Sequence, residues 1–324
     1  MDKIEFFLQE NKIPFKKDRE LQKITRKNSK VILSTYATPK TTETFEDLIK
    51  FCLSNNLNFH VVGQMWNTYF KDSFKCDILI STTRLNNYHE KENSLICQPG
   101  CSLPIIAKWA MDNLVADFEC FSGIPSTIGG AAINNAGSVH SEMSKVVKSV
   151  TIITANQKKA KLSNAELGYK SRNSKIKNGE IKCYVVEVEL DISQKDTKEN
   201  IEKKYESYQE YRKKNIDGNN KSLGSVFVSS SLKPLYQKYK LNLLVKAAFF
   251  RFGSLFVSDN IKLQEMNTYL TFLFLGHPGM AKHCDSFNRF VWKEHTTEED
   301  YFKYINLIKK LSGNTAVLEN QIKE

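Results

Sequence analysis

The chain has 324 residues, 41% of them hydrophobic and 26% charged, enough for two or three domains around a sizeable core and unlike a disordered or fibrous protein. Lys plus Arg number 47 against 36 acids, a net charge of +11. That balance fits a lysine-rich surface or an anionic partner, either nucleic acid or a phosphorylated cofactor and substrate, and charge alone does not separate these. No apolar run approaches the ~20 residues that span a bilayer. The opening Met1–Phe7 carries acids within its short apolar patch and lacks a cleavage site, so no secretory signal and no membrane partner are expected, and the protein is read as cytoplasmic. Seven scattered cysteines, an odd number, read as free and mostly buried thiols. Cys97 and Cys101 are the closest pair but have no second pair or nearby histidine, and the six histidines show no metal or triad spacing, so no metal site is expected.

From Thr41 to Asn56, apolar Phe45, Leu48, Ile49, Phe51, Cys52 and Leu53 follow a helical period, with Thr42 or Thr44 as the N-cap. Phe59–Val62 reads as a strand ending at Gly63, and Cys76–Ile80 as another, which gives a small α/β lobe over residues 1–82. The next segment, 83–195, opens with a strand and turn over Ser94–Cys101. Ser102 then caps a helix running to Leu114, with Leu103, Ile106, Ala107, Ala110 and Met111 on one face. Strands follow near Val146–Thr154 and Cys183–Leu190, the latter alternating in its second half.

Asp191–Leu223 is polar and lysine-rich. Its tyrosines at 205, 208 and 211 fit one face of a plain helix, with Lys203, Lys204, Lys213 and Lys214 solvated, better than a nucleic-acid stripe. The remaining segment, 196–324, closes on an amphipathic helix over Thr297–Leu311 with Tyr301, Tyr304, Ile305, Ile308 and Leu311 inward, the mark of a third, α+β lobe.

The most informative stretch is Phe121–Gly137. Four glycines, a proline and two asparagines stand within the fifteen residues 123–137. Small residues permit close backbone approach, and successive N–H groups there can converge on an anion; the alternative is a tight turn between core elements. The spacing is neither G-x-G-x-x-G nor G-x-x-x-x-G-K-[ST], so neither a Rossmann site nor a P-loop is indicated.

Gly123-Ile124-Pro125-Ser126-Thr127-Ile128-Gly129-Gly130-Ala131, followed by Asn135-Ala136-Gly137, resembles the flavin-binding signature of the UDP-N-acetylenolpyruvoylglucosamine reductase (UDP-N-acetylmuramate dehydrogenase, MurB) family. Pro39 and the helix after it, Phe59–Val62, Gly100-Cys101-Ser102-Leu103, Arg172-Asn173-Ser174, Gly224-Ser225-Val226-Phe227 and Leu318–Ile322 fall in the family's order. The resemblance implies a two-lobed FAD-binding fold of the PCMH and MurB type, not Rossmann, with a C-terminal α+β substrate-binding domain. It implies non-covalent FAD, NADPH as reductant and a UDP-sugar substrate in peptidoglycan precursor synthesis, and it leads us to expect a monomer without nucleic acid. Gly63, Asn67, Gly123–Thr127, Gly129, Gly130 and Asn135–Gly137 would hold the cofactor. Ser225 would be the acid that protonates the substrate carbon, Arg172 the cation on its carboxylate, and Gln321 would stand at the family's C-terminal glutamate.

The chain departs from the family at several points. Gln321 cannot ionise. The family's G-G-G-S-N loop is Gly63-Gln64-Met65-Trp66-Asn67; its tyrosine before the arginine is Ser171, with Tyr169 two residues earlier; and its K-N-P after the serine is Val228-Ser229-Ser230. Three readings therefore stand: an oxidoreductase of the family type, a diverged paralogue with another nucleotide-sugar or small substrate, and a non-catalytic binding protein.

Overall fold

The computed structural model describes residues 2–25, 27, 29–138, 141–215 and 222–324; His140 and the side chain of Lys214 lie outside the described residues. The chain folds as two units. The first comprises Met1–Glu20, Ile32–Met65 and Lys75–Asp217, and the second Leu21–Val31, Trp66–Phe74 and Gly218–Glu324.

In the first unit α1 (Lys3–Glu10), β1 (Phe15–Glu20), β2 (Ile32–Ala37), α2 (Thr42–Ser54) and β3 (Phe59–Val62) come first. β4 (Thr68–Phe70) belongs to the second unit, and β5 (Ile78–Ser81) completes a sheet in the order β1-β2-β5-β3. β5 runs parallel to both β2 and β3, while β1 and β2 are antiparallel. The α2 stripe Phe45, Leu48, Ile49 and Cys52 is buried with Ile78 and Ile80 of β5, as its period predicts. The N-cap is Thr41, not Thr42 or Thr44 as expected: its backbone is still extended, and its Oγ1 accepts from Thr44 N at 3.2 Å.

The second sheet of this unit, β11-β10-β12-β7-β6, is antiparallel throughout. It comprises β6 (Tyr88–Lys91), β7 (Ser94–Cys97), β10 (Val147–Thr154), β11 (Lys159–Ser163) and β12 (Cys183–Asp191). Between its strands lie α3 (Leu103–Asp112), α4 (Ile128–Asn134), the short hairpin of β8 (Gly137–Ser138) and β9 (Ser141–Glu142), and α5 (Asn164–Leu167). α3 stops at Asp112 rather than Leu114, and Ser102 stands at its N-cap without a side-chain capping bond, since N2 is Pro104 and has no N–H; Leu103 N donates to Ser126 O. α6 (Lys198–Asn215), which opens the third segment expected from the sequence, packs within this unit, with Tyr208 buried in the core and Tyr211 exposed.

In the second unit β4 pairs in parallel with β15 (Gln321–Lys323). α7 (Lys233–Lys238), α8 (Lys240–Gly253), α9 (Asn260–Phe274), the pair β13 (Cys284–Ser286) and β14 (Arg289–Phe290), and α10 (Glu298–Leu311) complete it. α10 carries a capping box in which Thr297 Oγ1 accepts from Asp300 N at 3.2 Å and Asp300 Oδ2 accepts from Thr297 N at 3.0 Å. All five of its expected inward residues are buried, and each such side chain contributes about 1.5–3 kcal/mol. They close on Tyr69, Phe227, Phe272 and Phe290. Six of the seven free cysteines are buried. Among the described residues no helix is long and apolar enough to cross a membrane.

Candidate active site

β3 ends where Thr82 N and Oγ1 both donate to Val62 O, at 2.9 and 3.3 Å, and the chain turns at Gly63. Met65 takes a left-handed backbone (φ +58°) with its side chain buried, so this turn is held by an L-residue at a cost of about 1–2 kcal/mol. A Cβ on Gly63 would stand 2.3 Å from Thr127 Oγ1, which shows how closely the first loop approaches the glycine-rich run. Thr127 is the N-cap of α4, its Oγ1 accepting from Gly130 N at 3.3 Å. The run is anchored from behind: Ile128 N donates to Cys101 O at 2.8 Å and Gly129 N to Pro99 O at 2.9 Å.

These anchors leave other donors open. Among the described residues no protein acceptor takes the amide N–H of Gly63, Gln64 or Met65 in the first loop, or of Gly123, Ser126 or Thr127 in the second. Two strips of unpaired donors, brought together by the contact of Gly63 with Thr127, suit a group rich in anionic oxygens such as a pyrophosphate.

α6 fastens the second strip. Arg212 lies so close to Gly123 that a Cβ there would stand 2.5 Å from its Nε, and its Nη1 donates to Gly123 O. Gln209 Nε2 donates to Ser122 Oγ at 3.3 Å. Lys204 bonds Asp196 at 2.8 Å and reaches Glu119 at 4.0 Å. Burial pushes the Glu119 carboxyl above the usual carboxylate range. The sequence reading did not single out Arg212; its signal was being the one arginine in a helix whose other cations are lysines.

Past α4, Asn135 adopts a left-handed cap (φ +46°), and its side chain is fully engaged inside the protein. Its Nδ2 donates to Glu142 Oε2 at 2.8 Å and Lys170 O at 2.9 Å, while its Oδ1 accepts from Ser144 N at 2.8 Å. Arg172, itself at φ +55°, donates through Nη1 to Asn135 O at 3.3 Å and through Nη2 to Gly137 O, and pairs with Glu142 at 3.7 Å. The structure thus brings Arg172 to the end of the glycine-rich run. Tyr169 buries its hydroxyl with no hydrogen-bond partner among the described residues, and burial raises its pKa.

Ser225, Asn67 and Gln321 lie together in the second unit, and Asn320 is their clamp. This buried side chain donates to Ser225 O and Leu223 O, both at 3.1 Å, and to Asn67 Oδ1, while its own Oδ1 accepts from Tyr301 OH at 2.8 Å. Asn67 Nδ2 donates to Glu319 O at 3.0 Å, and Asn67 O accepts from Gln321 N at 2.9 Å. Gly224 supplies the φ of +74° that turns the chain into Ser225, which is exposed. Among the described residues the Ser225 hydroxyl has no hydrogen-bond partner.

Comparison with known proteins agrees with this geometry. Residues 34–163, which contain both strips of open amides, match the family described as FAD binding domain, and the cofactor is FAD. The chain is 34% identical over 145 residues to the UDP-N-acetylenolpyruvoylglucosamine reductase of Clostridium novyi, covering 44% of this chain and 47% of that protein. It is 32% identical over 192 residues to that of Clostridium kluyveri, covering 59% and 62% respectively. The matches thus span about half to three-fifths of these relatives' length. The crystal structure of the corresponding reductase (MurB) from Thermus caldophilus superposes with a TM-score of 0.65 at 16% identity, covering 96% of this chain and 99% of that one, and so shares the fold. The chain thus carries an FAD binding domain, is similar in sequence to UDP-N-acetylenolpyruvoylglucosamine reductases over part of their length, and shares the fold of one of them.

Proposed function

We propose that the chain reduces the enolpyruvyl group of a UDP-sugar, UDP-N-acetylglucosamine enolpyruvate, at the expense of NADPH, in peptidoglycan precursor synthesis. The observation that carries this reading is the Asn320 clamp, which sets the Ser225 turn beside Asn67 and Gln321. The open amides of Gly63–Met65 and of Gly123, Ser126 and Thr127 would hold the cofactor's pyrophosphate. Ile124, Pro125, Gly129, Gly130 and Ala136 shape the run, and Asn135 and Gly137 tie its end to Arg172. FAD when bound supplies the two-electron redox chemistry.

The protein's own groups do the rest. The Arg172 guanidinium binds the substrate carboxylate and holds the negative charge that develops there. Ser225 gives its hydroxyl proton to the substrate carbon next to the one that receives hydride, and a serine can do so only while neighbouring dipoles support the resulting alkoxide. Gln321 donates a hydrogen bond from its amide but cannot relay a proton.

That last property favours a second reading, a paralogue that keeps the cofactor and has changed its substrate. Purified protein assayed for flavin absorbance, and then for NADPH oxidation with and without the enolpyruvyl UDP-sugar, distinguishes the two. Substrate-dependent oxidation is expected. A yellow protein that oxidises NADPH at one rate with or without the sugar would select the paralogue.

A further inference from the structure

Helix α8 is built of Leu, Val, Ala and Phe, yet none of its residues is buried. Its inner side is occupied by α9: Asn242 Nδ2 donates to Phe274 O at 3.0 Å, Lys246 bonds Asn267 Oδ1, and Gly253 packs on Met266. The other side faces solvent. Leu241, Leu244, Ala248 and Phe252, spaced at three, four and four residues, form one stripe along the helix, and Leu255 and Phe256 extend it into the following turn. The five large side chains among them expose between 57% and 76% of their surface. An apolar patch this continuous marks an interaction surface rather than ordinary exposure.

Charge identifies what covers it. From Lys233 to Ser258 the chain carries five cations (Lys233, Lys238, Lys240, Lys246 and Arg251) and no acid. Lys240 and Arg251 stand three helical turns apart, on the same flank of the stripe. Lysine and arginine stems can lie along apolar surface while their charged ends reach outward. A second copy of the same face would oppose like charges, whereas an anionic surface pairs with them. We propose that the outer face of α8 and the turn after it dock on an anionic lipid membrane, with Phe252, Leu255 and Phe256 entering the acyl boundary and Lys240 and Arg251 meeting the headgroups. At 14 residues the helix is about 21 Å long, well short of the ~30 Å hydrocarbon core, so it lies on the membrane and does not span it.

The test uses the full chain with its FAD, sedimented with vesicles of phosphatidylcholine alone and with vesicles in which part is replaced by phosphatidylglycerol. Binding to the anionic vesicles is expected to be at least about tenfold tighter and to weaken as salt rises. Phe252→Glu and Leu255→Glu each lower it at least about tenfold, with flavin content and far-UV spectrum unchanged. In Phe256→Trp, fluorescence of the introduced indole shifts to the blue on anionic vesicles, a readout that does not depend on the glutamate variants folding. Absence of vesicle binding, equal binding by wild type and both glutamate variants, or an unshifted indole emission in Phe256→Trp would overturn the proposal. So would a wild-type dimer in light scattering that Phe252→Glu converts to monomer, because the face would then be covered by a second copy.

Discussion

Gly63→Ala tests whether the contact between the two loops builds the flavin site. The added methyl would stand 2.3 Å from Thr127 Oγ1, with Cγ2 and Cβ at 3.2 and 3.3 Å. The hydroxyl has to rotate away, and the cap it gives Gly130 N goes with it, a loss of about 1 kcal/mol. The crowding against Cγ2 and Cβ adds about 1 kcal/mol more. The first unit should therefore lose about 2 kcal/mol and melt about 4–8 °C lower. FAD affinity, measured by flavin fluorescence quenching, should fall about tenfold as the two donor strips separate. In a Thr127→Ala background the hydroxyl, Cγ2 and the cap are already gone, so adding Gly63→Ala should cost well under half of that, a non-additivity expected of residues in contact. An equal effect of Gly63→Ala in both backgrounds, or an unchanged melting point and affinity, would refute the contact.

Arg212→Ala should weaken FAD binding about tenfold by releasing Gly123 from α6, and Arg212→Lys should recover only part of it, because a lysine cannot reproduce the guanidinium's planar contact; equilibrium titration with FAD reads both. Ser225→Ala should abolish product formation while NADPH still bleaches the flavin, and wild-type turnover in stopped-flow would remove Ser225 from the acid role. Gln321→Glu should raise turnover on the enolpyruvyl UDP-sugar about tenfold or more if the position serves the reaction, and steady-state kinetics would show no change if it does not. Glu189 is held down to about 2, first by the hydrogen bond from Lys161 and then by Ser149 and Ser94. Its stabilising contribution is complete above the unfolded carboxyl value near 4.5 and disappears as pH falls towards 2, so Glu189→Gln should flatten acid denaturation across that window.

Where local chemistry decides the structure, the sequence was readable. The Thr297–Asp300 box and the inward stripe of α10 follow from capping and a 3.6-residue period, and Phe59–Val62 forms the strand its composition indicates. The glycine-rich run could be read because Gly123, Gly129 and Gly137 stand where a Cβ would come within 2.8 Å of a neighbouring atom. What stayed hidden depends on partners distant in the chain. Ser102 looks like a cap, but the N2 position is Pro104, which has no N–H to offer its hydroxyl, and the helix start is tied instead by Leu103 N donating to Ser126 O of another loop. Arg212 looks like one more surface cation until α6 is laid against Gly123. The α8–α9 pair gave no signal because its apolar period points outward, and a period reports a face without saying what lies against it. Asn320 stood inside a quoted motif, yet its clamp appears only once Asn67, 253 positions earlier, is beside it.

That separation bears on how the second unit comes into being. The parallel pairing of β4 with β15, and the Asn67–Asn320 bond beside it, close a loop of roughly 250 residues. Loop-closure entropy must be overcome before such a pairing returns any contact energy, which makes high-contact-order assembly slow. The helices of this unit can form from neighbouring residues within microseconds, whereas the Ser225 turn gains its final geometry only when the distant strand arrives. Catalytic competence in this chain should therefore lag behind helix content during refolding.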